Sequence, residues 1–308
     1  MNFLQILYLC PMIRLSLVIA TYNRAEQLMV TLGSVAMQSA EPATWECIVV
    51  DNNSTDDTRQ RVEAFALEHK KVNIRYVFEQ KQGLSHARNA GIAASQGDII
   101  AFIDDDERIV EEFITAYIEL FDRHPDAMAA GGKIIAEYPT GRPRWMSRYT
   151  EQPIANPMDF GNEIKLFPSG RIPGGGNMAM RSRLFVNIGV FNTALGRTGK
   201  RLLGGEESDL FERIAKQEYK VYYTPRAVMY HIIPAEKLTR DYFTRLATNT
   251  GISQRTRAMQ NGRMLKLYIG EMMKWVATIM LCFVHRPVQS RYLILMRRHI
   301  SKGVFSRE

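Results

Sequence analysis

The sequence predicts an α/β fold, a mostly parallel sheet flanked by helices, followed by a basic helical C-terminal appendage. Two observations predict the sheet. Short apolar runs recur with room for a helix between them, as strands do when helices cover both faces and the crossovers are right-handed. Each run ends on a polar cluster, and in such sheets ligands sit beyond the carboxyl ends of the strands. A third observation, an uneven distribution of charge, predicts the appendage.

Residues 15–20 (LSLVIA) form the first strand and run into Thr21-Tyr22-Asn23-Arg24, after which Leu28, Leu32 and Val35 mark one face of a helix. Residues 47–50 (CIVV) repeat the unit, leading to Asp51-Asn52-Asn53-Ser54 and a helix capped by Ser54 or Thr55, with Val62 and Phe65 inward. A third strand over 73–78 passes through Gly83 to a small-residue helix around 86–95, and a fourth over 99–103 stops at Asp104-Asp105-Asp106. The three polar clusters therefore converge on one crevice. A helix with Phe113, Tyr117, Leu120 and Phe121 precedes a Pro- and Gly-dense stretch over 137–176. Loops of that length inside a compact domain are lids or binding surfaces. A short apolar segment at 177–180 resumes regular structure, and Gly204-Gly205-Glu206-Glu207-Ser208-Asp209 opens an amphipathic helix with Leu210, Phe211, Ile214 and Ala215.

An apolar fraction of 46% and a charged fraction of 23% exclude disordered and fibrous classes. The net charge is +8, yet from Lys237 onward fourteen Lys and Arg stand against Asp241, Glu271 and Glu308. The tail thus carries +11 and the remainder −3. An anionic partner for the tail follows. Its Met, Trp and Phe content favours an anionic membrane surface over nucleic acid, and packing as a core helix is the alternative. The best apolar run, residues 275–284, falls short of the roughly 20 residues that cross a bilayer, so no spanning helix is expected. Cys10, Cys47 and Cys282 form no close pair and no zinc-ligand spacing, which fits a reduced, cytoplasmic setting, peripheral on the inner membrane. The start, MNFLQILYLCPMIRL, lacks the basic residues and cleavage site of a secretory signal. The residues before Met12 read as a mis-assigned start or a short hydrophobic anchor.

Three adjacent carboxylates repel one another, and a fold keeps them where water, hydrogen bonds or a cation offsets the charge. At a strand end, Asp104-Asp105-Asp106 suits Mg²⁺ or Mn²⁺, which keep sites for phosphate oxygens; a solvated acidic turn is the competing reading. In the second acidic cluster the glycines let backbone approach a substrate, and a carboxylate there serves as general base. Acidic residues at a helix N-terminus also complement the helix dipole without any chemistry. Arg88, beside Asn89, binds a nucleotide or its phosphates, or is a surface cation. His231 is either a satisfied core histidine or a further metal ligand. The first strand is followed by no glycine-rich turn, which excludes a nicotinamide-dependent dehydrogenase, and the chain has no G-x-x-x-x-G-K-[ST] loop.

In this order, LSLVIATYNR, IVVDNNSTDDT, GLSHARNAGI, GDIIAFIDDDE, GGGNMAMR and GGEESDLFERI resemble the motifs of a family 2 glycosyltransferase with the GT-A fold. The resemblance implies a catalytic domain over 12–236, with a nucleotide-binding half over 12–133 and an acceptor half over 134–236, then a basic helical region over 237–308. It implies that Thr21, Asn23 and Arg24 line the nucleotide pocket, that Asp51 reads the base and that Arg88 sits over the nucleotide. Asp104 and Asp106 are similar to the family's D-x-D pair, with Asp106 the direct metal ligand and Asp104 or Asp105 nearer the ribose or sugar. GGEESD is similar to the family's G-G-E-D type motif, which points to Glu207 as base, with Glu206 or Asp209 as alternatives. Gly175-Gly176-Asn177 resembles the acceptor-side or donor-sugar loop. The implied reaction is a one-step, inverting transfer from a nucleotide-diphosphate sugar, most commonly UDP-linked, to a hydroxyl of a saccharide or lipid-linked acceptor in surface polysaccharide synthesis. The rival is an inactive nucleotide-sugar-binding or scaffold protein of the same fold, against which the two intact acidic clusters argue.

Overall fold

The computed structural model describes residues 13–198 and 204–306, so the hydrophobic start and Cys10 lie outside the described residues. The first half alternates as expected: β1 (Leu15–Thr21), α1 (Ala25–Ala36), β2 (Trp45–Asp51), α2 (Thr58–Glu68), β3 (Ile74–Phe78), α3 (Leu84–Ala94) and β4 (Ile99–Asp104). These strands are apolar on both faces. Leu15, Leu17 and Ile19 point with Cys47, Val49 and Ala101 to a core that includes Leu28, Leu32 and Val35 of α1. Val18, Ile48, Val50, Ile100 and Phe102 point the other way, to a core that includes Ala87 of α3. This two-residue alternation between two cores is what a doubly covered sheet requires.

The second half runs β5 (Glu107–Ile109), α4 (Phe113–Arg123), β6 (Ala127–Glu137), α5 (Arg148–Ala155), β7 (Lys165–Leu166), β8 (Met178–Arg181), α6 (Ser182–Ile188), α7 (Glu206–Lys216) and β9 (Lys220–Ile232). The nine strands form one sheet in the order β3-β2-β1-β4-β8-β6-β9-β5, with β7 on β9. The strands β3, β2, β1 and β4 are parallel neighbours, whereas β8, β5 and β7 join antiparallel. The helix after β2 begins later than expected and is entered from Asp57. Its expected caps are used elsewhere: Ser54 Oγ accepts from the Asn23 amide at 2.9 Å, and the Thr55 amide donates to Asn23 Oδ1 at 2.7 Å.

A one-turn 3₁₀ helix (Ala235–Leu238) leads into α8 (Arg240–Gln260), α9 (Met264–Val284) and α10 (Pro287–Phe305). A third core joins Phe243, Leu246 and Ala247 of α8 and Leu293, Met296 and Ile300 of α10 to Met146, Ile154 and Ile233. The backbones of α8 and α10 nearly touch: a Cβ on Gly251 would stand 2.0 Å from the Ile300 carbonyl oxygen, and one on Gly303 would stand 2.1 Å from that of Thr248. Helix α8 also reaches the segment before α7, where the Gly204 amide donates to Ser253 Oγ at 3.0 Å and Arg257 packs against Gly205.

Helix α9 corrects two expectations. At 21 residues it is long and apolar enough to cross a membrane by length and composition, because the helix continues through Glu271 and Lys274 rather than stopping at the apolar run. It is not a core helix either, since only Glu271 and Thr278 in it are buried.

Candidate active site

Parallel register sets Thr21 opposite Asp51, and Ala20 opposite Asp104, so the three polar clusters stand in a row at the strand ends. Thr21, Arg24, Asp104, Asp105 and Asp106 line a cavity there together with Asn52, Gln82, Leu84 and Arg197. Gln82 and Arg197 carried no local sequence signal. Asn23 and Asp51 are not among its lining residues. Asn23, with φ 52°, staples the 52–55 turn through its amide and side chain. Asp51 is buried, accepting from the Ser54 amide at 2.8 Å and from the Tyr76 hydroxyl at 2.7 Å.

The three aspartates have three environments. Asp105 is buried and accepts from the Thr21 hydroxyl at 2.8 Å and from Arg24 at 2.9 Å. Burial, partly offset by Arg24, pushes its carboxyl up to about 6. Asp106 is also buried, but Lys237 Nζ donates to its Oδ2 at 2.5 Å and Arg24 at 3.2 Å. There burial is outweighed by Lys237, His231 and Arg24, which hold the carboxyl well below the usual range. Asp104 is partly exposed and accepts from Arg88 at 3.3 Å.

Glu107, which the sequence reading did not single out, is 2% exposed and accepts from the Asp104 amide at 2.8 Å. Burial, with Asp104 and Asp106 nearby, raises its carboxyl well above the ordinary value. Asp104, Asp106 and Glu107 each offer an oxygen, all within 4.8 Å of one another. Hard oxygens in this number suit Mg²⁺ or Mn²⁺. The antiparallel pairing of β5 with β9 sets His231 opposite Glu107 and brings its Nε2 to 3.8 Å from Asp106. Its Nδ1 faces the Ala155 carbonyl at 3.1 Å, which favours a proton on Nδ1, and the Nε2 lone pair then faces the Lys237 ammonium at 3.5 Å beside Asp106. Burial lowers the pKa of the ring, against the pull of Asp106.

Glu207 stands at the N-terminus of α7, entered from Gly205 at φ 112°. Arg88 is not a surface cation: it is 2% exposed and lies between the two acidic clusters. Its Nη1 donates to Glu207 at 2.9 Å and Glu206 at 3.3 Å, while Nη2 donates to Asp104. Burial raises Glu207, but the Arg88 guanidinium more than offsets this and leaves it below the usual value. Burial and the neighbouring Glu207 push Glu206 up to about 8, so at neutral pH Glu206 is mostly protonated and Glu207 is the ionised partner.

The Gly175-Gly176-Asn177 loop presses on both acidic groups. A Cβ on Gly175 would stand 2.0 Å from Glu207 Oε1, and one on Gly176 would stand 1.9 Å from Glu107 Oε1, so any side chain there would displace these carboxylates. Asn177 anchors the loop by donating to the Lys133 and Ala227 carbonyls, both at 2.9 Å. On the far side Glu207 lines a second cavity with Gln152, Asn156, Arg171 and Gly175. The arrangement thus offers one cavity walled by aspartates and another lined by the ionised Glu207, with Arg88 between them.

Residues 16–189, more than half the chain, match the model for glycosyl transferase family 2. The chain belongs to this family. It is a glycosyltransferase, and therefore an enzyme. It is 25% identical over 222 residues to the glucosyl-dolichyl phosphate glucuronosyltransferase of Haloferax volcanii, covering 71% of this chain and 69% of that protein. It is 27% identical over 236 residues to the succinoglycan biosynthesis protein ExoM of Rhizobium meliloti, covering 76% of this chain and 71% of that protein. Among solved structures, the mannosyltransferase PcManGT of Pyrobaculum calidifontis, in complex with GDP-Man and Mn²⁺, superposes with TM-score 0.62 at 19% identity over 96% of this chain and 88% of that one. S. aureus TarS 1–349, in complex with UDP, gives TM-score 0.54 at 17% identity, over 95% and 89%. The glycosyltransferase has the GT-A fold.

Proposed function

We propose that this glycosyltransferase is inverting and metal-dependent, moving a sugar from a nucleotide-diphosphate sugar, UDP-linked, to a hydroxyl of a saccharide or lipid-linked acceptor in cell-surface polysaccharide synthesis at the cytoplasmic face of a membrane. Residues 12–236 form its catalytic domain and 237–308 its helical appendage. The observation that supports the reading is the bridge made by buried Arg88, which ties the ionised Glu207 at one cavity to Asp104 at the next. The UDP assignment leans on the TarS complex, and the lipid-linked acceptor on the substrate named for the Haloferax relative.

Asp104, Asp106 and Glu107, with His231, would hold Mg²⁺ or Mn²⁺, which when bound supplies positive charge to the departing diphosphate. Arg24 and Arg197 add cationic donors on the wall of the same cavity. Gln82 offers an amide to the nucleoside, whereas the Asn52 amide is taken up by the Glu79 and Lys81 carbonyls and the Gly83 amide and shapes the wall. From the second cavity Glu207 takes the proton of the acceptor hydroxyl as its oxygen bonds to the anomeric carbon. The bond from that carbon to the diphosphate oxygen breaks on the opposite face, which inverts the centre. Arg88 keeps Glu207 ionised and aimed, and the Gly175 loop fixes its distance from the donor side.

A screen of nucleotide sugars with Mn²⁺ or Mg²⁺, read as donor hydrolysis and as protection against melting, tests this. Asp106→Ala loses both signals, whereas Glu207→Ala keeps the protection and loses turnover. Turnover that survives in Glu207→Ala rules out its role as base. Donor binding without metal dependence or turnover in the parent protein would favour the inactive binding protein.

A further inference from the structure

We propose that the outer face of α9 is a docking surface for an anionic lipid bilayer, on which the helix lies in the plane of the membrane. The helix is built inside out. Its one carboxylate and its indole N–H face the protein: Glu271, 1% exposed, accepts from Arg297 at 2.8 Å and from the Ser301 hydroxyl at 2.7 Å, and Trp275 Nε1 donates to Ser301 Oγ at 2.8 Å. Its apolar residues face outward, with Met272, Val276, Ile279, Met280 and Phe283 between 50% and 85% exposed. Their spacing of three and four residues keeps them on one side of the helix. A contiguous apolar face of this kind marks an interaction site.

Charge selects the occupant. Lys266 and Lys274 of α9, Arg263 and Arg286 at its ends, and Arg291, Arg298 and Lys302 of α10 are exposed. The one acidic side chain between residues 264 and 305, Glu271, is buried against Arg297. A second copy of this chain would set one cationic rim against another. Anionic headgroups neutralise such a rim while the acyl region takes up the apolar face.

The same buried ion pair sets the orientation. By length α9 could cross a bilayer, but Glu271 and Arg297 clamp it along α10, so crossing would draw Arg291, Arg297 and Arg298 into hydrocarbon. That is costly, whereas an in-plane helix leaves every cation at headgroup level. Docking deepens the proposed use of a lipid-linked acceptor, yet stands on α9 and α10 alone.

The test is flotation of the full chain with phosphatidylglycerol–phosphatidylcholine vesicles against pure phosphatidylcholine, alongside donor hydrolysis. The parent floats with the anionic vesicles and less so in high salt. Met272→Glu/Met280→Glu, substituted at exposed positions outside the catalytic machinery, floats roughly tenfold less with hydrolysis and melting temperature unchanged. Equal flotation of parent and variant overturns the proposal. So does a dimer that the two substitutions dissolve in a chain that does not float, and resistance to alkaline carbonate extraction overturns the in-plane placement. Failure of hydrolysis with flotation intact would refute the proposed function instead.

Discussion

Arg88→Met removes one guanidinium from three carboxylates, and the cost is read from their surroundings. Glu207 is bonded at 2.9 Å, and Glu206 and Asp104 at 3.3 Å each. Removing one partner of a buried ion pair costs about 3–5 kcal/mol. Glu206 is mostly neutral near pH 7, and the Asp104 side chain, 37% exposed, keeps water, so the burden falls on Glu207 and the lower end applies. About 3 kcal/mol corresponds to a fall in melting temperature of roughly 6–12 °C for a chain of this order of size. The pH dependence separates this role from simple packing. Glu207 is held below its unfolded value of 4.5, so its contribution to stability is present above that value and lost as pH falls through the folded one. Without Arg88 burial is opposed only by hydrogen bonds from the backbone and Glu206, the carboxyl rises, and the acidic limb of kcat moves to higher pH. The assays are thermal melting and a kcat pH profile at saturating donor and acceptor. Arg88→Lys keeps the charge but not the fork, and falls between parent and Arg88→Met in both readouts. A folded Arg88→Met enzyme with an unshifted acidic limb would refute this reasoning.

Two further substitutions test the neighbouring contacts. Lys237→Met takes away the ammonium 2.5 Å from Asp106, so Mn²⁺ affinity measured by electron paramagnetic resonance without donor should rise several-fold, on the order of 1 kcal/mol; unchanged affinity would show that Lys237 does not compete for the carboxylate. Gly175→Ala places a methyl group 2.0 Å from Glu207 Oε1 and should lower kcat by about 100-fold while donor protection against melting persists. A kcat near that of the parent would show that the loop yields.

What the sequence made legible is what short-range pattern encodes. The strands β1, β2 and β4 were readable because successive residues such as Leu17 and Val18 both meet apolar cores, and their polar ends fell in one row because parallel register leaves little freedom. The antiparallel strands were harder: β5 has three residues, β7 has two, and each exists through its pairing with β9. Lys237 was invisible as a partner of Asp106 because 131 residues separate them and the 3₁₀ helix after β9 delivers it. Arg88 offered phosphate binding or surface exposure; the three carboxylates around it come from two distant segments, the end of β4 and the start of α7. In α9 a linear count stopped at Lys274 and Glu271, since counting cannot tell that Glu271 points inward at Arg297.

The contact of α8 with the Gly204-Gly205 segment has a mechanical consequence. An enzyme held by a slack tether works equally well when cut free. Here Ser253 and Arg257 brace the two residues from which the helix bearing Glu207 springs, and the near-touching backbones at Gly251 and Gly303 join that brace to α10. The C-terminal helices are therefore part of the frame that holds Glu207, and a chain shortened at residue 236 would lose the footing of the proposed base along with the proposed docking surface.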